Sequence, residues 1–251
     1  MTPIDQKEFC EYLDTALRQN GMESFADNQA LLDSLYALTL RMLEVNEHMN
    51  LTTIRQPHDI IMRHYVDSLT VAAHIPEGAT VLDIGCGAGF PSLPLALARP
   101  DLHITAIDST DKKVRYVNET AALLGLSPDT LTALSMRAEE GGSVGGALRE
   151  KFNIVVSRAV AHLSILGELA LPCLQVGGVL IALKGAKAAE EMADAKGLTV
   201  LGASPARLVP TPLTAPDTGE VDHHAHVVVD KCEKTPKIYP RKYAQIVKKP
   251  L

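Results

Sequence analysis

The stretch that most constrains the 251-residue chain is Val81-Leu82-Asp83-Ile84-Gly85-Cys86-Gly87-Ala88-Gly89-Phe90-Pro91, with the apolar run Leu93-Pro94-Leu95-Ala96-Leu97-Ala98 behind it. Apolar residues that run straight into a glycine-rich turn predict a buried parallel strand, a tight loop and the opening of a helix. Alternate glycines let the backbone take positive φ and approach a bound group closely. The helix start behind them offers unpaired N–H groups and a partial positive charge.

Such a loop suits a dinucleotide or S-adenosylmethionine. A dinucleotide wants G-x-G-x-x-G, the third glycine leaving room beside the pyrophosphate. Here Phe90 holds that place, and the third glycine comes one residue early, at Gly89. A phenyl ring obstructs a pyrophosphate but packs on an adenine or a methionine chain. The next apolar run, 103–107, ends in Asp108, 23 residues after Gly85. A carboxylate at that strand tip accepts hydrogen bonds from both ribose hydroxyls. S-adenosylmethionine is the cofactor the loop favours, with Gly85, Gly87, Phe90 and Asp108 as candidate contacts.

Composition narrows the class further. Hydrophobic residues at 46%, charged residues at 22% and a mean hydropathy of +0.07 are globular proportions. No apolar run approaches the roughly 20 residues of a membrane span, and the N-terminus lacks the basic-then-apolar order of a signal peptide. The expectation is a cytoplasmic protein. Cys10, Cys86, Cys173 and Cys232 are scattered without a C-x-x-C pair, so neither a metal site nor a disulfide framework is implied. The net charge of −6 hides an asymmetry: residues 231–251 carry seven Lys or Arg against one Glu, a net +6, which leaves −12 for the rest. A basic appendage on an acidic body is the pattern of a localised nucleic-acid contact.

Along the chain, Thr2 and Pro3 predict the start of a first helix ending near Asn20-Gly21. A second, from about Ser24, carries Leu31, Leu35, Leu38, Met42, Val45 and Met49 as one stripe. A third starts at Pro57. From Ala79 strands and helices alternate, with Asp111 as a cap, strands near 131–136, 153–157 and 179–183, and a flexible glycine-rich loop at 141–146. Runs at 198–209 and 226–229 predict two last strands in an antiparallel hairpin. Repeated βα units give a doubly wound α/β sheet with its ligands at the carboxyl edge. Five parallel strands closed by such a hairpin are the class I methyltransferase variation of the Rossmann-like fold. The expected division is an N-terminal helical extension over 1–76, a methyltransferase domain over 77–231 and a basic tail over 232–251.

Asn50-Leu51-Thr52, Arg63-His64-Tyr65-Val66-Asp67-Ser68-Leu69, Asp83–Pro91, Ser157-Arg158-Ala159-Val160-Ala161 and Leu183-Lys184-Gly185 occur in this order. Together they resemble the bacterial small-subunit ribosomal RNA methyltransferase G family, also called glucose-inhibited division protein B. The likeness runs from about Asn46 into the tail. It implies methyl transfer from S-adenosylmethionine to N7 of a guanine in small-subunit ribosomal RNA, and the expected partner is that RNA, free or in a ribosomal particle, with the protein itself a monomer. The family's cofactor contacts fall on Gly85, Phe90, Ala138, Glu139 and Arg158, and Arg158 is also the candidate for orienting the guanine in catalysis. Cys86 and Ser92 stand where many members carry Thr and Gly. Residues 243–247 replace a more usual Gly/Pro-containing link.

Bland roles compete with functional ones at several positions. Arg63 is spaced to pair with Asp67 on one helix face, while the resemblance gives Arg63 and His64 a contact with RNA or a place in the wall of the site. Lys184 ends a strand where it meets phosphate or solvent. His223, His224 and His226 lie on the expected hairpin with no nearby Cys and no convincing carboxylate partner, so chance explains them better than a metal. The rival functions are a methyltransferase for another RNA, a protein or a small molecule, and a dinucleotide oxidoreductase.

Overall fold

A computed structural model describes residues 5–251. The expected capping by Thr2 and Pro3 lies outside them. Within them α1 (Gln6–Gln19) is capped by Asp5, whose Oδ1 accepts from Glu8 N at 2.9 Å. A short α2 (Glu23–Ala26) leads to α3 (Gln29–Met49), capped by Asn28 and closed by Asn50 at a φ of 50°. The α3 stripe is buried at Leu31, Leu35, Leu38 and Met42, and Val45 and Met49 complete it half-buried. The helix from Pro57 is not uniform. It passes through α4 (Pro57–Ile60), a π-helical turn over Ile61–Val66, α5 (Asp67–Leu69) and a 3-10 turn over Thr70–His74. Such wide turns are rare and favour functional sites.

The sheet follows. Strand β1 (Thr80–Ile84) leads through the glycine loop to α6 (Ser92–Ala98), and β2 (His103–Asp108) to α7 (Asp111–Leu123). Then come β3 (Leu131–Ser135), α8 (Ala138–Gly141), β4 (Phe152–Arg158), α9 (Leu163–Ala170) and β5 (Leu174–Lys184). Helix α10 (Ala188–Asp194) precedes β6 (Arg207–Pro210), the short pair β7 (Leu213–Thr214) and β8 (Val221–Asp222), then β9 (Ala225–Asp230) and α11 (Tyr243–Lys248). The seven-stranded order is β3-β2-β1-β4-β5-β9-β6, with β9 antiparallel to both neighbours and the first five strands parallel. The expected class I fold is therefore what forms. Alternate strand residues feed two cores: Val81, Ile104 and Val156 face the N-terminal helices, while Leu82, Ile84 and Val155 face α9 and α11.

Several local expectations are corrected. The last sheet strand before β9 is confined to Arg207–Pro210, because Thr199–Leu201 forms a 3-10 turn. Thr110, not Asp111, is the N-cap of α7. The glycine-rich segment is no loose loop: Gly141 and Gly142 are buried, and a Cβ on Gly141 would collide with Leu148. Its carbonyls are in use, Gly141 O accepting from Leu148 N and Gly142 O from Arg149 Nη1. The glycines there buy close packing. The tail is docked as well. Residues 243–247 form α11, where Ile246 is fully buried, and Lys231 and Arg241 are spent inside the protein, on Leu201 O and Glu168 respectively.

Candidate functional site

The strand order reverses between β1 and β4, and a cleft of about 500 Å³ opens at the carboxyl edge there. Gly85, Gly87, Phe90 and Asp108 line one part of it, and Ala138, Glu139 and Arg158 another. The seven cofactor and catalytic candidates of the sequence thus share one cavity.

The floor is the glycine loop. Gly85 has a φ of 73°, and a Cβ on it would strike the side chain of Val160, from the loop after β4. Only glycine meets both demands. Asp108 then ties the loop to the neighbouring strand: Oδ2 accepts from Gly87 N at 3.1 Å and Oδ1 from Thr110 N at 2.8 Å. Half-buried and fixed, it keeps acceptor capacity on both oxygens for a ribose. Beneath the loop, fully buried Asp83 has Oδ2 bonded by Ser92 Oγ and Oδ1 without a partner among the described residues. Burial pushes its carboxyl up to about 7. Ser92, a departure from the family pattern, thus finds its use in that bond. Ala138 opens α8, with Glu139 half-buried beside it.

The wall opposite is an arginine network. Arg158 Nη1 donates to Arg63 O at 2.6 Å and to Asp67 Oδ2 at 3.2 Å, and Nη2 to His64 Nδ1 at 3.2 Å. Arginine accepts nothing, so His64 Nδ1 is the acceptor and its proton sits on Nε2, 3.1 Å from Thr52 Oγ1. Thr52 is held in turn by Asn46, which exchanges two bonds with its backbone. Burial, then the Arg158 charge, hold His64 down to about 3. Its ring stacks on Phe90 at 4.3 Å and 8°. Phe90 is only 4% exposed, so one face belongs to His64 and is not offered to a ligand. The Phe90–Pro91 peptide bond is cis.

Other expectations change here. Arg63 pairs loosely with Asp59 at 3.8 Å and not with Asp67. Asp67 instead accepts from Arg158 and, through Oδ1, from His224 Nδ1 at 3.0 Å. Burial opposes its ionisation, but the bonds from His224 and Arg158 hold its carboxyl below the usual range. His224 is therefore no accident of composition. Lys184 is largely turned inward, where Nζ donates to Ala161 O at 2.6 Å and Glu191 Oε2 at 2.7 Å. Tyr243, from the tail, reaches the cleft mouth. Asp67, His224, Glu191 and Tyr243 were missed because no local pattern ties them to the glycine loop.

Cleft and strand order are those of the class I methyltransferase fold. In backbone the protein is similar to an S-adenosylmethionine-dependent O-methyltransferase from Thermotoga maritima (TM-score 0.52, 13% identity, 78% of this chain and 72% of that one). It is also similar to an S-adenosylmethionine-dependent methyltransferase from Methanosarcina mazei (TM-score 0.50, 15% identity, 66% and 98%). Residues 31–209 match the family described as rRNA small subunit methyltransferase G. Two proteins named ribosomal RNA small subunit methyltransferase G are similar along the chain. That from an Exiguobacterium species is 41% identical, covering 99% of this chain and 100% of its own. That from Lactobacillus johnsonii is 42% identical, covering 84% and 87%. The chain belongs to the rRNA small subunit methyltransferase G family. No helix among the described residues is long and apolar enough to cross a membrane.

Proposed function

We propose that this chain transfers a methyl group from S-adenosylmethionine to N7 of a guanine in small-subunit (16S) ribosomal RNA. The observation that carries the reading is the convergence of Gly85, Gly87, Asp108 and Arg158 on one cleft, in a chain whose relatives bear that name. When bound, S-adenosylmethionine supplies an electrophilic methyl carbon, and guanine N7 meets it with an in-plane lone pair and no proton. Such a reaction asks for alignment and not for a base, and alignment is worth about 7–11 kcal/mol of barrier.

The residues present fit that demand. Gly85 and Gly87 bring backbone close, and Asp108 has lone pairs left for two hydroxyls. The groups that sequence offers as bases are disarmed. His64 spends its lone pair on Arg158 and is held down to about 3. Burial first, then Asp83 and Asp108, push the Cys86 thiol up. Arg158 is the catalytic residue of this reading, orienting the base at the cleft wall. Gly85, Gly87, Phe90, Asp108, Ala138, Glu139 and Arg158 hold the cofactor, and the exposed Lys242, Lys248 and Lys249 meet RNA phosphates.

The protein acts in the cytoplasm as a monomer. Labelled S-adenosylmethionine incubated with undermethylated small-subunit ribosomal RNA, small-subunit particles, transfer RNA and bulk protein decides the matter. Label confined to guanine N7 of the small-subunit RNA is the expected result. Label in transfer RNA or protein would overturn it.

A further inference from the structure

A second cavity of about 580 Å³ lies beside the cofactor cleft, and the two share His64, Arg158, Ala159 and Val160 as a common wall. Lys184 and Glu191 also line the second cavity. Glu191, on α10, is firmly placed: Oε2 accepts from Lys184 Nζ at 2.7 Å and from Leu163 N at 2.9 Å. Its other oxygen, Oε1, accepts nothing among the described residues, although the side chain is only 19% exposed. Lys184 is itself buried and committed to Glu191 and Ala161 O, so it serves the carboxylate and not a ligand. On the shared wall, Arg158 retains Nε–H and the second Nη2–H after its bonds to Arg63 O, Asp67 and His64.

We propose that this second cavity receives the acceptor guanine, with Glu191 Oε1 accepting from its N1–H and N2–H edge while Arg158 donates to O6. The proposal rests on the reading that the chain methylates guanine N7. In guanine, O6 and N7 share one edge, and the N1–H and N2–H donors lie on the side away from N7. A base that sits in the second cavity with N7 toward the methyl group, at the boundary the two cavities share, therefore sends those donors away from the first cleft and into the second. The carboxylate oxygen without a partner is there to receive them. Adenine reverses both contacts: its N1 lone pair faces the carboxylate, and its N6–H₂ donor faces Arg158. Glu191 and Arg158 thus select guanine by attraction and reject adenine by repulsion.

The test is binding of GMP and AMP to the protein saturated with S-adenosylhomocysteine, which blocks the first cleft. Wild type and E191Q are compared by calorimetry. The Gln amide still accepts from Lys184 and Leu163 N but presents N–H₂ to the base. The expected result is GMP roughly ten- to hundredfold tighter than AMP in the wild type, a preference lost in E191Q at unchanged S-adenosylhomocysteine affinity. GMP no tighter than AMP in the wild type, including no binding of either, overturns the proposal, as does an E191Q variant that keeps the preference. If E191Q fails to fold, the wild-type comparison decides alone. A wild type that prefers GMP yet methylates no ribosomal RNA would support this subsite and remove the functional reading.

Discussion

Arg241 and Glu168, 73 residues apart, meet as a two-pronged ion pair, Nε to Oε1 at 2.9 Å and Nη2 to Oε2 at 2.5 Å. Glu168 has no exposure at all, and Arg241 also gives it a backbone N–H at 2.7 Å. Removing the arginine leaves a buried carboxylate unpaired, which costs about 3–5 kcal/mol. R241A should therefore lower the urea midpoint by that equivalent. A variant as stable as wild type would show that water reaches Glu168.

It follows that deleting residues 232–251 is a poor probe of RNA contact, because it strips Arg241 and Ile246 from the core. Substituting Lys242, Lys248 and Lys249 together by Ala leaves Arg241 and Ile246 in place. These three lysines are exposed. If they meet phosphates of single-stranded RNA, the log–log salt slope of binding should fall by roughly 2. The thermal midpoint should stay where it was. An unchanged slope would assign the lysines to solubility.

Asp108 holds Gly87 N and Thr110 N and faces the cleft. Hydrogen bonds to a charged group contribute about 1.5–3 kcal/mol, so Asp108→Ala should weaken S-adenosylhomocysteine binding roughly ten- to 150-fold. Calorimetric affinity within twofold of wild type, in a folded variant, would remove Asp108 from the cofactor site.

Methyl transfer in a single turnover should be nearly flat with pH around neutrality. His64 stays neutral in this range and the Cys86 thiol stays protonated. Cys86→Ser should keep most activity. Arg158→Ala should lose roughly a hundredfold or more, the cost of misplacing the reacting base. A rate that climbs with an apparent pKa near that of histidine would reveal a required base.

Much of this was legible in the sequence, and the boundary has a physical cause. The β1 loop, Asp108 and the strand alternation are written locally, since apolar period and glycine spacing act within a dozen residues. Arg158 was placed correctly at the end of β4. What stayed hidden were through-space pairs. Asp67 meets His224 across 157 residues because β9 folds back against β5, and no spacing rule encodes that. Glycines 141 and 142 misled for the opposite reason: their composition reads as flexibility, while their use is contact with Leu148 and Arg149.

His224 carries a pH dependence of its own. Its bond to Asp67 raises its pKa above the ordinary 6.5, against the opposing effect of burial. A histidine raised on folding adds stability that is complete below its unfolded pKa and fades as pH rises through the folded one. H224Q should therefore cost more stability at pH 6 than at pH 9, measured by urea midpoints. Equal losses at the two values would mean that His224 is neutral throughout.

The wide helical turn at Ile61–Val66 has a consequence for length variation. It holds one residue more than a regular helix needs, so deleting a residue there would restore ordinary geometry and, judged by helix propensity alone, do no harm. Yet each residue turns a helix by about 100°, and the deletion would swing His64 off Phe90 or Asp67 off Arg158, since the two contacts lie on either side of the turn's end. The extra residue acts as a shim that sets the angle between two halves of one helix. In this helix a single insertion or deletion should thus abolish the cleft wall while leaving the sheet intact.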